Sequence, residues 1–188
     1  MEQQVESAAI NGVDVEQLLQ TIDAIKANEE IAKFKFRATN KWIDGGHNQT
    51  TITDFYGATA NHPHQKPFEL EEDEHQVLLG NDIGPNPVEY ALAALAGCLT
   101  SSLVYHSAAK GIKIRGVESR LEGDIDLRGF LGLWPDIKAG YENIRVYFKI
   151  DADIPEEQKK ELIEMAKKYS PVFDTIANPV SVSVELEK

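Results

Sequence analysis

Residues 84–111, GPNPVEYALAALAGCLTSSLVYHSAAKG, are the stretch that decides the fold, and they include the chain's only cysteine, Cys98. Within them, residues 90–104 contain no charged side chain and are rich in alanine and leucine. A helix that is apolar most of the way round is buried on more than one side. Because the run is shorter than a membrane span and hydroxyl residues at 100–102 interrupt it, we expect a buried core helix.

The ends of this helix carry their own signals. Asn86 is a residue type that caps helix N-termini, and Pro87 suits the first helical position, where its missing N–H costs nothing. Gly111 is typical of the position just after a helix ends. The spacing therefore predicts one long helix over residues 86–110.

Outside the long helix, the pattern predicts strands in hairpin-like groups, which indicates an α+β fold rather than a doubly wound parallel one. Alternation and turn residues predict strands at 33–43, 49–58, 67–70, 76–79, 113–129, 141–151 and 179–186, with a turn at Gly45-Gly46 and a loop over 58–67. Helical spacing and capping residues predict further helices over 14–28, from Pro155 onward and over 170–177.

The composition narrows the classes of function. The chain has 188 residues, 42% of them hydrophobic, and a net charge of −12, which suits one domain that repels nucleic acid and anionic membranes. A single cysteine cannot form an intramolecular disulfide, which favours a reducing compartment. The first residues are acidic and polar and show no secretory signal. We expect a cytoplasmic protein with neither nucleic-acid nor membrane partners.

Three residues of the long helix could carry chemistry. A free cysteine is a common small core residue, so packing and reactivity both remain open for Cys98. Glu89 lies three residues after Asn86, and we interpret it as part of a capping box. His106 lies eight residues after Cys98, about 80° around the helix, and is better explained as a surface or partly buried histidine than as a base.

A metal or a cofactor finds little support in the sequence. His62 and His64 form a His-Pro-His pair in the predicted loop, but no second group of metal ligands accompanies them, so we interpret them as solvated loop residues. The sequence contains no P-loop, GxGxxG, GxSxG or HExxH motif. We expect neither a metal nor a cofactor.

Three segments resemble a known family. The stretches GPNPVEYALAALAGCLTSSLVYHSAAKGIKI, VESRLEGDIDLRG and KKYSPVFDTIANPVSVSVEL resemble the OsmC/Ohr family of osmotically induced and organic-hydroperoxide-resistance proteins, and the resemblance covers about Phe34 to Leu186. It implies a helical extension over residues 1–30 and an OsmC-like domain over 31–188. It also implies an intertwined homodimer whose sheets wrap around long central helices.

The resemblance implies a chemistry as well. Enzymes of the family reduce organic hydroperoxides with a peroxidatic cysteine on the long helix, which an arginine and a glutamate hold as thiolate. A second cysteine, in a Cys-Pro-Val motif, resolves the first as a disulfide, and a dithiol, typically lipoyl-linked, reduces it. Cys98 matches the peroxidatic position, and Ser170, in Ser-Pro-Val, stands where the resolving cysteine would be.

The charged partners carry over less directly. The family's glutamate directly follows the Asn-Pro pair, where this chain has Val88, so Glu89 is one residue out of register and rotated about 100° around the helix. Residues 70–84, which lead to the long helix, contain no arginine, and Arg37 is the nearest candidate upstream. Glu89 and Arg37 are therefore the candidates for these two roles.

Two functional hypotheses follow from the sequence. In the first, Cys98 reduces a small hydroperoxide and an external thiol takes the part of the missing second cysteine. In the second, the chain is a non-catalytic OsmC-like homodimer that binds a small apolar ligand, and Cys98 lines the pocket or packs the core.

Overall fold

The computed structural model describes residues 9–178 and 180–187, and its mixture of helices and antiparallel sheets confirms the predicted α+β class. Its backbone divides into two compact units. Of the described residues, one unit comprises 14–91, and the other joins residues 9–13 to those from Leu92 onward. The long helix α2, Pro87–Ala109, begins in the first unit and continues in the second.

The first unit begins with helix α1, Val15–Ala27, which confirms the helix predicted near the N-terminus. Asp14 caps it, because its carboxylate accepts a hydrogen bond from the backbone N–H of Gln17 at 3.0 Å. A short 3₁₀ helix, Glu29–Ala32, follows. The division of the chain into a 1–30 extension and a 31–188 domain stays a prediction.

A four-stranded antiparallel sheet follows in the first unit. Its strands are β1 Lys35–Phe36, β2 Thr39–Asp44, β3 His47–Gly57 and β4 Ala60–Glu72. Strands β1 and β2 pair with successive parts of one edge of β3, and β4 pairs along the other edge. The predicted hairpin is confirmed, with Gly45 at a positive φ of 54° in the β2–β3 turn.

Two predictions in this unit are wrong. Residues 60–67 belong to strand β4 rather than to a loop, because β3 is long enough to pair with the whole segment. A register shift opposite Ile52–Asp54 lets the ladder accommodate the prolines of β4. Residues Gln76–Leu78 form a 3₁₀ helix rather than a strand, since His75 caps the turn and Leu79 leaves the extended region at φ 68°.

The second unit packs a hairpin and two helices against α2. After α2 come β5 Ile114–Asp124, the short helix α3 Leu127–Phe130, β6 Asn143–Ala152, α4 Glu156–Tyr169 and α5 Pro171–Ala177. The strand predicted over 141–151 and the helices predicted from Pro155 onward and over 170–177 are confirmed. The strand predicted over 113–129 is confirmed only up to Asp124, because Asp126 caps α3 by accepting a hydrogen bond from the backbone N–H of Arg128 at 2.9 Å. Strands β5 and β6 pair antiparallel. The core joins apolar side chains of α2, β6 and α4, among them Leu95, Leu99, Leu103, Ile150 and Leu162.

Helix α2 is less buried than the sequence indicates. Its buried side chains, Leu95, Leu99, Leu103, Ser107 and Ala108, form one stripe rather than several faces. Among the residues described, α2 is the one helix long and apolar enough, by length and composition, to cross a membrane. Tyr105 on its surface is 53% exposed, so the expectation of burial on several sides is not met within one chain.

The predicted C-terminal strand is absent from the part of the chain that is described. Residues 180–187 carry no strand pairing, and Pro179 of that prediction lies outside the described residues. Within the described residues, the sheet of the second unit contains β5 and β6 alone, so the alternating valine and polar residues of this segment pair with no strand. The apolar side chains of the segment are exposed, reaching 91% for Val184 and 92% for Leu186.

Candidate functional site

Cys98 lies in the middle of α2 and is half-buried. The Ser170 hydroxyl donates a hydrogen bond to the Cys98 sulfur, with Oγ and Sγ 3.1 Å apart. Ser170 is 1% exposed and occupies the junction between α4 and α5. The structure therefore brings together the two residues that the sequence assigns to the peroxidatic and resolving positions.

The α4–α5 junction contacts α2 at two further positions. The Ser102 hydroxyl donates to the backbone carbonyl of Tyr169 at 3.4 Å, and the rings of His106 and Tyr169 stack with centroids 4.7 Å apart. Positions 98, 102 and 106 are each four residues apart and so lie along one side of the helix. Tyr169 was not predicted from the sequence, although its position directly before the Ser-Pro-Val motif marks it as a neighbour of the site.

The surroundings of His106 favour its neutral form. Burial disfavours the imidazolium, and the positive charge of Lys110 adds to this effect, so the pKa of His106 is lowered from its ordinary value. The prediction of a partly buried histidine is confirmed, and its ring contact is with Tyr169. Within the described part of the second unit, no charged side chain hydrogen-bonds to Cys98. The hydrogen-bond partner of the sulfur in this unit, the Ser170 hydroxyl, is thus a neutral group.

Glu89 caps the start of α2, as its spacing predicts. Its carboxylate accepts a hydrogen bond from the backbone N–H of Asn86 at 2.9 Å, and the Asn86 side-chain oxygen accepts one from the N–H of Val88 at 3.0 Å. The Asn86 amide also donates to the carboxylate of Glu74. Both polar ends of Asn86 are therefore engaged in holding the first turn. Whether Glu89 has a catalytic role as well stays a prediction.

A buried carboxylate stabilises the loop that leads into α2. Asp73 is 1% exposed and accepts hydrogen bonds from the backbone N–H groups of Glu74, Asn81 and Ile83, at 2.8, 3.0 and 3.3 Å. Burial raises the pKa of Asp73, but these donors together hold it below its ordinary value. Asp73 was not predicted from the sequence, because nothing local distinguishes it from the neighbouring glutamates.

Arg37 lies in the first unit, in the short gap between β1 and β2. Its guanidinium forms an ion pair with Asp54 at 2.7 Å and donates to the Asn61 side chain at 2.8 Å. It also lines a surface groove of about 380 Å³, whose other lining residues are Lys33, Phe34, Lys35, Tyr56 and Asn61. Its predicted role toward the thiolate stays untested.

His62 and His64 lie on strand β4, so the interpretation as loop residues is wrong. The His62 ring stacks on Phe55 with centroids 5.1 Å apart, and the His64 ring meets the edge of Phe68 at 4.9 Å. A ring nitrogen of His62 also lies 3.0 Å from the carbonyl oxygen of Gly57. Over residues 9–178 and 180–187, no group of three or more histidine, cysteine, aspartate or glutamate residues is placed to hold a metal ion.

Known proteins share this architecture. An OsmC-like protein from Mycoplasma pneumoniae is 18% identical, with a TM-score of 0.59 over 77% of this chain and 89% of that chain. An organic hydroperoxide resistance protein OsmC from Legionella pneumophila is 14% identical, with a TM-score of 0.53 over 76% of this chain and 90% of that chain. At these identities the likeness shows the fold. No curated protein matches the chain.

The sequence provides the family assignment. The family model described as OsmC-like protein matches residues 80–185, which include the long helix, Cys98 and Ser170. This match covers more than half of the 188 residues. The chain therefore belongs to the OsmC-like protein family.

Proposed function

We propose that this protein reduces organic hydroperoxides through Cys98, with an external thiol completing the cycle. The observation that carries the proposal is the half-buried Cys98 sulfur at 3.1 Å from the Ser170 hydroxyl, inside the segment that matches the OsmC-like family. Partial exposure lets a small peroxide reach the sulfur, which a cysteine used only for packing does not require. The similarity to a hydroperoxide resistance protein from Legionella pneumophila adds support for the class of substrate.

The reaction balances without a second cysteine. The Cys98 sulfur attacks the outer peroxide oxygen, the O–O bond breaks, and the products are a Cys98 sulfenic acid and an alcohol. An external thiol then attacks the sulfenic sulfur, and water leaves as the mixed disulfide forms. A second external thiol reduces this mixed disulfide, so that two thiols become one disulfide and the Cys98 thiol is regenerated. Ser170 cannot take the part of the resolving thiol because an alcohol forms no disulfide.

Steady-state turnover of cumene hydroperoxide, with dihydrolipoamide or glutathione as reductant, tests this proposal. We expect the Cys98→Ser variant to lose the protein-dependent consumption of peroxide, because the nucleophilic sulfur is gone. A matched control is the double variant Cys98→Ser/Ser101→Cys, which keeps one thiol but places it at an exposed position of the same helix. This control should consume cumene hydroperoxide no faster than a free thiol in solution does.

Consumption that does not depend on Cys98 would contradict the proposal. The non-catalytic alternative would then stand, in which an OsmC-like dimer binds a small apolar ligand. A thermal shift on ligand addition that persists in Cys98→Ser would indicate that alternative. Alkylation of Cys98 only after denaturation would instead indicate that the residue packs the core.

We also propose that the working form is a homodimer. The apolar side chains of residues 180–187 alternate with polar ones and stay exposed, and the second-unit sheet that is described has two strands only. A two-stranded sheet is marginally stable in water, and a third strand adds ladder hydrogen bonds and a larger apolar face. Pairing of this segment with a second copy would bury valines that one chain leaves in water.

Light scattering coupled to size-exclusion chromatography tests the dimer. We expect a mass of two chains for the wild type and a shift toward one chain for Val184→Asp, which puts a charge on the apolar face of the segment. Ser183→Asp adds the same charge on the other face and is the matched control. A wild-type protein of one-chain mass at micromolar concentration would contradict the proposal.

A further inference from the structure

Ser170 has both hydrogen-bonding functions of its hydroxyl engaged. The oxygen accepts a hydrogen bond from the backbone N–H of Phe173 at 3.2 Å, and the hydroxyl donates to the Cys98 sulfur at 3.1 Å. A serine hydroxyl has one hydrogen to donate, and the sulfur takes it. Because the side chain is 1% exposed, water does not compete for this hydrogen.

The backbone that carries Ser170 is anchored to the same helix as Cys98. Tyr169, the preceding residue, accepts a hydrogen bond from Ser102 through its carbonyl, and its ring stacks on His106. These contacts lie one and two turns beyond Cys98 on α2. The serine is therefore held relative to the sulfur by these two contacts as well as by its own hydrogen bond to Cys98.

We propose that Ser170 is a positioning residue for Cys98, an inference that rests on the proposed hydroperoxide reduction. Its hydroxyl orients the sulfur and stabilises the negative charge that the sulfur carries as a thiolate nucleophile. A hydrogen bond to an ionised acceptor is roughly twice as strong as one between neutral groups, so the contact favours the reactive form of the sulfur. Ser170 thus supports the first step and leaves the sulfenic acid for an external thiol.

Three variants separate this role from simple packing. Ser170→Ala removes the hydroxyl, Ser170→Thr keeps it, and Thr175→Ala removes a different hydrogen bond of α5, from the Thr175 hydroxyl to the Pro171 carbonyl at 2.8 Å. Two rates are measured on each: single-turnover oxidation of Cys98 by cumene hydroperoxide, trapped as the dimedone adduct in mass spectrometry, and alkylation by iodoacetamide. Urea unfolding curves report the stability of each variant.

We expect Ser170→Ala to slow both reactions about tenfold, the effect of losing a hydrogen bond to a charged group at the lower end of its usual range. Ser170→Thr should restore both rates to within about twofold, because the donor remains. Thr175→Ala should lower stability without changing either rate, since it does not touch the sulfur. This pattern would distinguish positioning from a general loosening of α5.

Equal rates in Ser170→Ala and the wild type, or slow rates in Ser170→Thr, would overturn the role assigned to Ser170 while leaving the proposed reaction intact. A wild type that peroxide never oxidises would refute the reaction instead. The alkylation rates would then still decide whether the hydroxyl assists the sulfur, because alkylation requires a reactive thiolate but no peroxide.

Discussion

The first turn of α2 and its middle use polar groups in opposite ways. At the first turn, Asn86 is held between the carboxylates of Glu74 and Glu89, and the loop before it is organised around the buried carboxylate of Asp73. In the middle, Cys98 contacts the neutral hydroxyl of Ser170. The carboxylates of Glu74 and Glu89, which lie near the start of α2 in sequence, thus hydrogen-bond to its N-cap residue.

This difference shows that a carboxylate near Cys98 in sequence need not be the partner of its sulfur. The carboxylate of Glu89 accepts a hydrogen bond from the backbone N–H of Asn86. The backbone N–H groups at the start of any helix require such acceptors. The group that reaches the sulfur comes from a junction between two helices, 72 residues later in the chain. Charge at the helix start should make that region sensitive to pH, whereas the neutral contacts of Cys98 depend on hydrogen-bond chemistry.

The largest expected effect comes from changing the neutral contact into a covalent one. Ser170→Cys places a second sulfur beside Cys98, and we expect hydroperoxide to produce an intramolecular disulfide between positions 98 and 170. Because the bridge closes a long loop, the oxidised variant should gain on the order of 4 kcal/mol in free energy of unfolding over its reduced form. Mass spectrometry of the peptide pair and urea unfolding with and without reductant measure both.

Thr175→Cys is the matched control, since it adds a thiol on α5 that is not placed against Cys98. It should give no intramolecular bridge. If Ser170→Cys forms only intermolecular disulfides, or disulfides with added thiols, the side chains at positions 98 and 170 are not in contact as the hydrogen bond between Cys98 and Ser170 requires.

The next effect is the pH dependence of the loop before α2. The folded pKa of Asp73 lies below its ordinary value, so its contribution to stability is complete above the unfolded pKa of about 3.9 and is lost as pH falls through the folded pKa. We expect Asp73→Asn to lower stability at neutral pH and to flatten its decline below about pH 4. Urea unfolding over a pH series measures the stability, and hydrogen exchange over residues 73–83 locates the change.

Asp82→Asn is the control for this experiment, because Asp82 lies exposed in the same loop. It should leave the pH profile as in the wild type. The same acidification should leave the protection of amides around Cys98 unchanged until global unfolding. An equal loss of protection in both regions would contradict the contrast between a charged helix start and a neutral middle.

The smallest expected effects are at the cap itself. Asn86→Ala should lower the free energy of unfolding by about 1 kcal/mol, the usual loss for an N-cap residue. Glu89→Gln should lower it by about 0.5 kcal/mol, because the amide oxygen still accepts the hydrogen bond but the negative charge near the helix start is lost. Neither variant should change the rate at which Cys98 reacts with iodoacetamide. Thermal unfolding and the alkylation assay measure the two quantities. A clear loss of Cys98 reactivity in Glu89→Gln would support the catalytic role that the family resemblance implies for a glutamate.

Local signals predicted most of the elements. The caps of α1 and α2, the glycine turn between β2 and β3, and the proline at the start of α5 each act within a few residues, so the sequence displays them directly. The errors fell where strand pairing or a local helix cap overrides the alternation pattern. Strand β4 runs through two prolines because the long edge of β3 offers partners, and a helix-like turn replaces the strand expected after His75.

The sequence identified two residues of the candidate site but not the contacts that surround them. The resemblance to the OsmC/Ohr family pointed to Cys98 and Ser170, and the structure places them in hydrogen-bonding contact. Tyr169 and Ser102 could not be selected beforehand, because serine and tyrosine are common on helix surfaces and only packing makes them neighbours. Asp73 was hidden for a similar reason: its burial depends on the loop that closes over it.

The sequence by itself determined the α+β class, the long helix and its ends, the family, and the presence of one thiol with a serine in place of a second, since each of these depends on residue identity and short-range spacing. Only the tertiary structure decided what that serine does. Its hydroxyl is turned toward Cys98 because the Phe173 amide occupies the oxygen and the α4–α5 junction is packed on α2, contacts that join residues distant in the chain.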